Sequence, residues 1–235
     1  KLMERAENLL GQGYYLNNIG TLFDEQHNYE KAIEYYNRSF KIKEITKDSS
    51  GMASTSFNVG LLYYNLSEYE KALTYFKKSY NSVSYQKSTT KKIRALNNIA
   101  QIYLETGENE KALKAITEAG DQVSSIEGKR ESIDYYSVLG RIMLGEGHID
   151  SAMAINDKAL ELSISVGSSI KTRRALILKS EIFEKSLSID SALHYLKKGQ
   201  MYNDSIISEA NVNSIAAMEG KYKFERNQRV QKESE

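Results

Sequence analysis

Proline, cysteine and tryptophan are absent from this 235-residue chain, and each absence closes off a class of protein. Without cysteine there is no disulfide framework, no thiolate nucleophile and no cysteine-ligated metal, and oxidising and reducing compartments suit the chain equally. Without proline nothing fixes a helix stop, so long uninterrupted helices are open to it. Glycine is sparse, at 14 residues, and is not gathered into the closely spaced turn clusters of a β-sandwich or barrel. An excess of charge of one sign is also missing. The 32 Lys and Arg face 31 Asp and Glu, a net +1, which supplies no overall field to hold nucleic acid. An anionic partner needs a local cluster instead. No apolar run approaches the ~20 residues of a membrane-spanning helix, and the first residues carry no secretory pattern. The chain opens on Lys1 rather than Met, as a segment taken from downstream of a leader would.

What the chain has is self-similarity. Tyrosine is abundant (17) in a composition that is 40% hydrophobic and 27% charged. A shift of 40 residues superposes Asn18-Ile19-Gly20-Thr21-Leu22-Phe23 on Asn58-Val59-Gly60-Leu61-Leu62-Tyr63 and on Asn98-Ile99-Ala100-Gln101-Ile102-Tyr103. The same step reaches Val138-Leu139-Gly140-Arg141-Ile142-Met143 and Leu178-Lys179-Ser180-Glu181-Ile182-Phe183. Five copies keep this register without an insertion. Twelve residues after each small residue stand Ala32, Ala72, Ala112, Ala152 and Ala192. Four later come Tyr36, Phe76, Ile116, Asn156 and Leu196, and three later again Ser39, Ser79, Ala119, Ala159 and Gly199. Steps of four and three are helix spacing.

Each copy therefore reads as two antiparallel helices, A and B. Their axes approach where both offer a small residue, as at Gly60 and Ala72, with Phe23, Tyr63 and Tyr103 filling the space beside the contact. Short turn signals separate the two, for example Gln26-His27-Asn28 and Thr106-Gly107-Glu108, which makes A and B neighbours. An acid follows every turn: Glu30, Glu70, Glu110, Asp150 and Asp190. That position suits the positive end of helix B. Ser67 with Glu70 reads as a capping box.

A small residue, an aromatic three later, Ala at plus twelve and an aromatic at plus sixteen together resemble the tetratricopeptide repeat, over residues 13 to 200. The resemblance implies an all-α fold, a right-handed α-solenoid of antiparallel helix pairs. The long period is similar to the long-helix variety in kinesin light chains and in bacterial regulators that sense peptides or partner proteins. Residues 1–12 align with 41–52 and read as the end of a truncated preceding repeat or a capping helix. Residues 13–204 read as five repeats, starting near 13, 53, 93, 133 and 173, and residues 205–235 as a long capping or linker helix. The stretch from Met218 to Glu225 resembles the segment that follows such repeats in Bacteroidetes sensor histidine kinases and helix-turn-helix regulators. This implies the sensory or interaction region of a larger bacterial signalling protein, with the periplasm favoured over the cytoplasm.

The same resemblance places binding in a concave groove lined by helix A, filled by a peptide or protein segment. Asn18, Asn58 and Asn98 match the asparagine that in this family hydrogen-bonds a ligand backbone. A carboxamide offers both the donor and the acceptor that a peptide unit needs. Val138 and Leu178 end that ladder. Asn17, Asn97 and Gln101 flank it, and Arg94, Arg141 and Arg174 are candidates for a basic end suited to carboxylates. The full Lys/Asn/Lys/Arg set of the carboxylate-clamp members is missing. Tyr64 reads either as core or as a groove anchor. The occupant is a peptide, a partner's helix, a homodimer mate, or the chain's own tail, which is amphipathic in Ile206, Ile207, Val212, Ile215 and Met218.

No catalytic constellation is visible: His27, His148 and His194 are scattered, and Gly11 and Gly13 follow no strand. The chain is expected to be no enzyme and to need no cofactor or metal, and it is expected to bind no nucleic acid and make no membrane contact itself. The alternatives are a response-regulator phosphatase-like protein or an RNA-binding helical repeat.

Overall fold

The computed structural model describes residues 2–83, 89–123 and 129–202. The chain forms α1 (Leu2–Glu25), α2 (Tyr29–Ile45), α3 (Ser49–Asn65), α4 (Tyr69–Val83), α5 (Thr89–Glu105), α6 (Asn109–Val123), α7 (Lys129–Gly145), α8 (Ile149–Ser165) and α9 (Ser169–Lys185). Residues 189–202 form a further helix, α10. Odd-numbered helices are the A helices, even-numbered ones the B helices, and no strand occurs among the described residues. Leu2–Glu25 is one unbroken helix. Residues 2–12 thus lengthen the first helix A rather than standing apart from it. The tail expected at 205–235 lies outside the described residues.

All five A helices end in the same way. The N–H groups of Asn28, Glu68, Glu108, His148 and Ser188 reach back to the carbonyls of Phe23, Tyr63, Tyr103, Met143 and Phe183. The residue just before each donor, namely His27, Ser67, Gly107, Gly147 or Leu187, has φ between 57° and 82°. This is the Schellman closure, which satisfies orphan carbonyls by one left-handed residue. Gly107 and Gly147 adopt that conformation freely, whereas a side chain there costs about 1–2 kcal/mol. The same turn removes the expected capping box. Ser67 is the left-handed residue, α4 begins at Tyr69, and Glu68 occupies the capping position and pairs with Lys71. Glu30, Glu70, Glu110 and Asp150 do sit in the first turns of their B helices.

Within a pair, the small residue of helix A seats the plus-sixteen side chain of helix B. A Cβ added to Gly20 would stand 2.7 Å from the Tyr36 ring, and one added to Gly60 2.8 Å from the Phe76 ring. Both rings are fully buried. Where Ile116 replaces the ring, Ala100 replaces the glycine, and both are buried in the same cluster. In the last two copies the backbones close up, as expected from small residues on both sides. The Cβ position of Gly140 is 3.8 Å from the Ala152 carbonyl, and Ser180 Oγ donates to the Ala192 carbonyl at 2.7 Å. Beside the seat, Phe23 stacks on Tyr35 and Tyr63 on Tyr75 at 5.3 and 5.6 Å, with Lys31 and Lys71 over the exposed ring faces.

Between pairs, each B helix packs against its own A helix and the next one. Successive A helices approach each other backbone to backbone (α1·α3, α3·α5, α5·α7, α7·α9), whereas successive B helices stand further apart and meet through long side chains, Lys78 over the Phe40 ring and Tyr80 donating to Glu118. The A layer is therefore the inner, tightly spaced side of the curve. One apolar cluster runs from α3 to α7 through Phe57, Phe76, Leu96, Ile116 and Ile142, with smaller ones at either end.

Gly60→Ala drives a methyl into the Phe76 ring and is expected to cost about 1–3 kcal/mol in urea unfolding. Phe76→Leu in the same chain should return part of that loss. An unchanged midpoint in the single variant would show that the seat is loose.

Candidate functional site

Because the A helices lie side by side, their polar side chains reach from one helix to the next. Asn17 Oδ1 on α1 accepts from Thr55 Oγ1 (3.1 Å) and Asn58 Nδ2 (3.4 Å) on α3. Lys91 Nζ on α5 donates back to the Ser50 carbonyl (2.9 Å) and Ser54 Oγ (3.0 Å) on α3. Arg141 Nη1 on α7 donates to Glu105 Oε1 on α5 at 3.1 Å. Lys171 Nζ on α9 donates to the Arg130 carbonyl (2.9 Å) and Asp134 (2.5 Å) on α7. Lys91 and Lys171 occupy the same repeat position and make the same kind of bond. That shared register was legible in the sequence and was passed over.

The three ladder asparagines do not behave alike. Asn18 is exposed, with no side-chain partner among the described residues. Asn58 is half-buried and donates to Asn17, while Asn98 donates to the Arg94 carbonyl of its own helix at 2.9 Å. Asn97 departs furthest from the expected groove role. It is 3% exposed and its amide donates to the Glu131 carbonyl at 3.1 Å, so it pins α5 to α7 instead of meeting a ligand.

The expected basic end divides in two. Gln101 Nε2 (2.6 Å) and Arg141 both bond Glu105, and the half-buried Tyr64 tilts against Tyr69 at 5.8 Å. Burial pushes the Tyr64 hydroxyl up, Glu105 and Tyr69 add to this, and Arg174 and Arg141 oppose it. Tyr64, Glu105, Arg141 and Arg174 therefore share one electrostatic neighbourhood, drawn from four successive A helices. Arg174 is exposed and has no acidic partner among the described residues. Arg94 belongs elsewhere, packed over the Phe57 ring at 4.5 Å beside Lys91.

Beneath Asn17 lies a lysine that sequence reasoning missed. Lys43 is fully buried; its Nζ donates to Thr55 Oγ1 at 2.9 Å and faces the Tyr14 ring at 4.7 Å. Next to it Ser39 Oγ donates to the Gly13 carbonyl at 2.7 Å. Burial pulls the ammonium down to about 8, the Asp48 carboxylate resists, and Lys91 adds to the fall. A lysine on helix B is ordinarily solvated, and no pattern in the sequence marked this one. Among the described residues no cluster of His, Asp and Glu is placed to hold a metal, and no helix is long and apolar enough to cross a membrane.

Helix pairs in an all-α array, with an inner layer of A helices, define a tetratricopeptide-like solenoid. The tetratricopeptide repeat family profile matches residues 11–84 and again 51–121, which takes in the first three helix pairs. No curated protein matches the chain. Among solved structures the chain is similar to BtubC (BKLC) from P. vanneervenii, at 14% identity and TM-score 0.69, over 86% of this chain and 87% of that one. It is also similar to aspartyl phosphate phosphatase F from Bacillus subtilis, at 16% identity and TM-score 0.69, over 87% of this chain and 54% of that one. A Rap protein complexed with Competence and Sporulation Factor matches at 18% identity and TM-score 0.69, over 81% of this chain and 54% of that one. The chain thus spans about half the length of the last two, and at these identities the likeness is one of fold.

The lowered Lys43 has a consequence for stability. From about pH 8 towards the ordinary lysine value of 10.5 the unfolded chain holds a proton that the folded chain has released. The contribution of Lys43 to stability therefore rises with pH across that window, while the tyrosines that burial pushes up, such as Tyr36 and Tyr64, oppose it near pH 10. The expected gain is on the order of 1–3 kcal/mol, read from chemical unfolding at successive pH values. Lys43→Met should flatten the slope, the remainder coming from Lys91, which burial also lowers, and parallel profiles for the two proteins would show that burial does not suppress the Lys43 charge.

Proposed function

We propose that the chain is a protein-interaction scaffold whose inner, A-helix face holds a peptide or an extended segment of another protein. It acts by binding, with no chemistry of its own, as the sensory or interaction region of a larger bacterial signalling protein. The observation that carries this reading is the inner layer itself. Five helices contribute side chains to one face, and that face keeps unspent hydrogen-bonding capacity at Asn18, at the second N–H and the carbonyl of Asn58, and at Arg174. Asn58, Asn98 and Gln101 offer carboxamides to a peptide backbone. The Tyr64–Glu105–Arg141–Arg174 group offers an aromatic wall with charge of both signs, which selects among side chains rather than gripping any polyanion. The fold likeness to a Rap protein complexed with Competence and Sporulation Factor supports a binding role for such an array, and the likeness to B. subtilis phosphatase F supports a signalling setting.

The test is to select peptides by display against the full chain and measure the best binder by calorimetry. Asn58→Ala, and separately Arg141→Ala with Arg174→Ala, are each expected to weaken it about tenfold, since a charge-assisted or well-placed hydrogen bond contributes about 1–3 kcal/mol. Variants that fold and bind as the parent does would move the site off this face.

A further inference from the structure

Positive charge gathers against a single acid where α2, α3 and α5 meet. Lys43 is buried and Lys91 is half-buried. Asp48 is the acid that acts on both, Lys91 depresses Lys43, and Arg94 in turn depresses Lys91. None of the three cations has a carboxylate within ion-pair distance among the described residues. Residues 84–88, Ser-Tyr-Gln-Lys-Ser, which lead into α5, contain no acid. Three cations thus gather near one carboxylate, two of them wholly or partly buried and Arg94 at the exposed edge.

Beside them the helices leave a cavity of about 50 Å³, lined by Ser54, Phe57, Asn58, Ser79, Lys91 and Arg94. The Arg94 guanidinium is held over the Phe57 ring at 4.5 Å and donates to no acceptor among the described residues. Arg94 is exposed, so its fork of N–H groups is open to a ligand from solvent. Asn58 makes one long bond, 3.4 Å to Asn17, and keeps the rest of its amide free. Lys91 directs its three N–H groups to Ser50 and Ser54, so it contributes charge without touching a ligand.

We propose that this cavity is an oxyanion site that takes a dianionic phosphoryl group, contacted by Arg94 and Asn58 and balanced by the charge of Lys91 and Lys43. A phosphoryl dianion answers the local excess of positive charge more strongly than a singly charged carboxylate. The planar guanidinium matches two phosphoryl oxygens at once, and a space of this size is several times that of one water. The phosphoryl group arrives either as a free phosphate or on a phosphorylated side chain. The site itself does not rest on the peptide-binding reading; only the second mode of delivery does.

The experiment titrates the full chain with inorganic phosphate, against chloride and acetate at matched ionic strength, by calorimetry and thermal unfolding. Saturable binding of phosphate, at least tenfold weaker in Arg94→Gln, is expected, together with a rise in the Lys43 pKa followed by NMR. Lys91→Gln should also weaken binding, and circular dichroism verifies that both variants fold. Phosphate acting no better than chloride, acetate acting equally well, or Arg94→Gln binding as the parent does would each overturn the site. A peptide pair differing in one phosphoserine then decides the source. Tighter binding of the phosphorylated member, competed by phosphate, assigns a side chain, and equal binding assigns the free ion. Phosphate binding with no peptide binding at all would remove the groove reading and leave the anion site standing.

Discussion

The contact on which this molecule depends is the seating of one helix B side chain over one small helix A residue. Tyr36 over Gly20 and Phe76 over Gly60 leave no room for a Cβ, and the pairing of sizes continues as Ile116 with Ala100. This contact fixes the distance between A and B within a pair. The Schellman closure after each A helix fixes the turn that delivers helix B to it. With those two set, the next A helix packs into the groove between them, and repetition builds the array.

The inner layer follows from that packing. A helices brought together without intervening B helices must satisfy their polar side chains across the seam, and they do so through Asn17 with Thr55 and Asn58, Lys91 with Ser50 and Ser54, Arg141 with Glu105, and Lys171 with Asp134. These bonds join each A helix to the next and consume part of the face's polar capacity. They leave Asn18, Asn58, Arg94 and Arg174 with polar groups that no described residue takes up, and the proposed ligand would meet these.

The repeat, the pairing of helices and the acid after each turn were legible because they recur, and a recurring residue reports a recurring environment. Ser67 was misread because its local pattern matches a cap, while the tight turn needs that residue in the left-handed region. Asn97 was misread because its burial depends on how closely α7 approaches α5, which register alone does not reveal. The ladder of asparagines was legible in position but not in behaviour. Asn58 meets Asn17 across the seam, whereas Asn98 turns back on its own helix, and the difference lies in their neighbours. Lys43 and the cation excess around Asp48 were illegible, since Lys43 and Asp48 meet Lys91 and Arg94, some forty residues on, only in the packed array.

The central claim is that recognition occurs on the inner face, and side-chain amide NMR tests it most directly. With a selected peptide added, the amide resonances of Asn58, Asn98 and Gln101 on the A helices should shift, while those of Asn37 and Asn81 on the B helices stay in place. Shifts confined to Asn37 and Asn81 would contradict the account and place the binding surface on the outer layer.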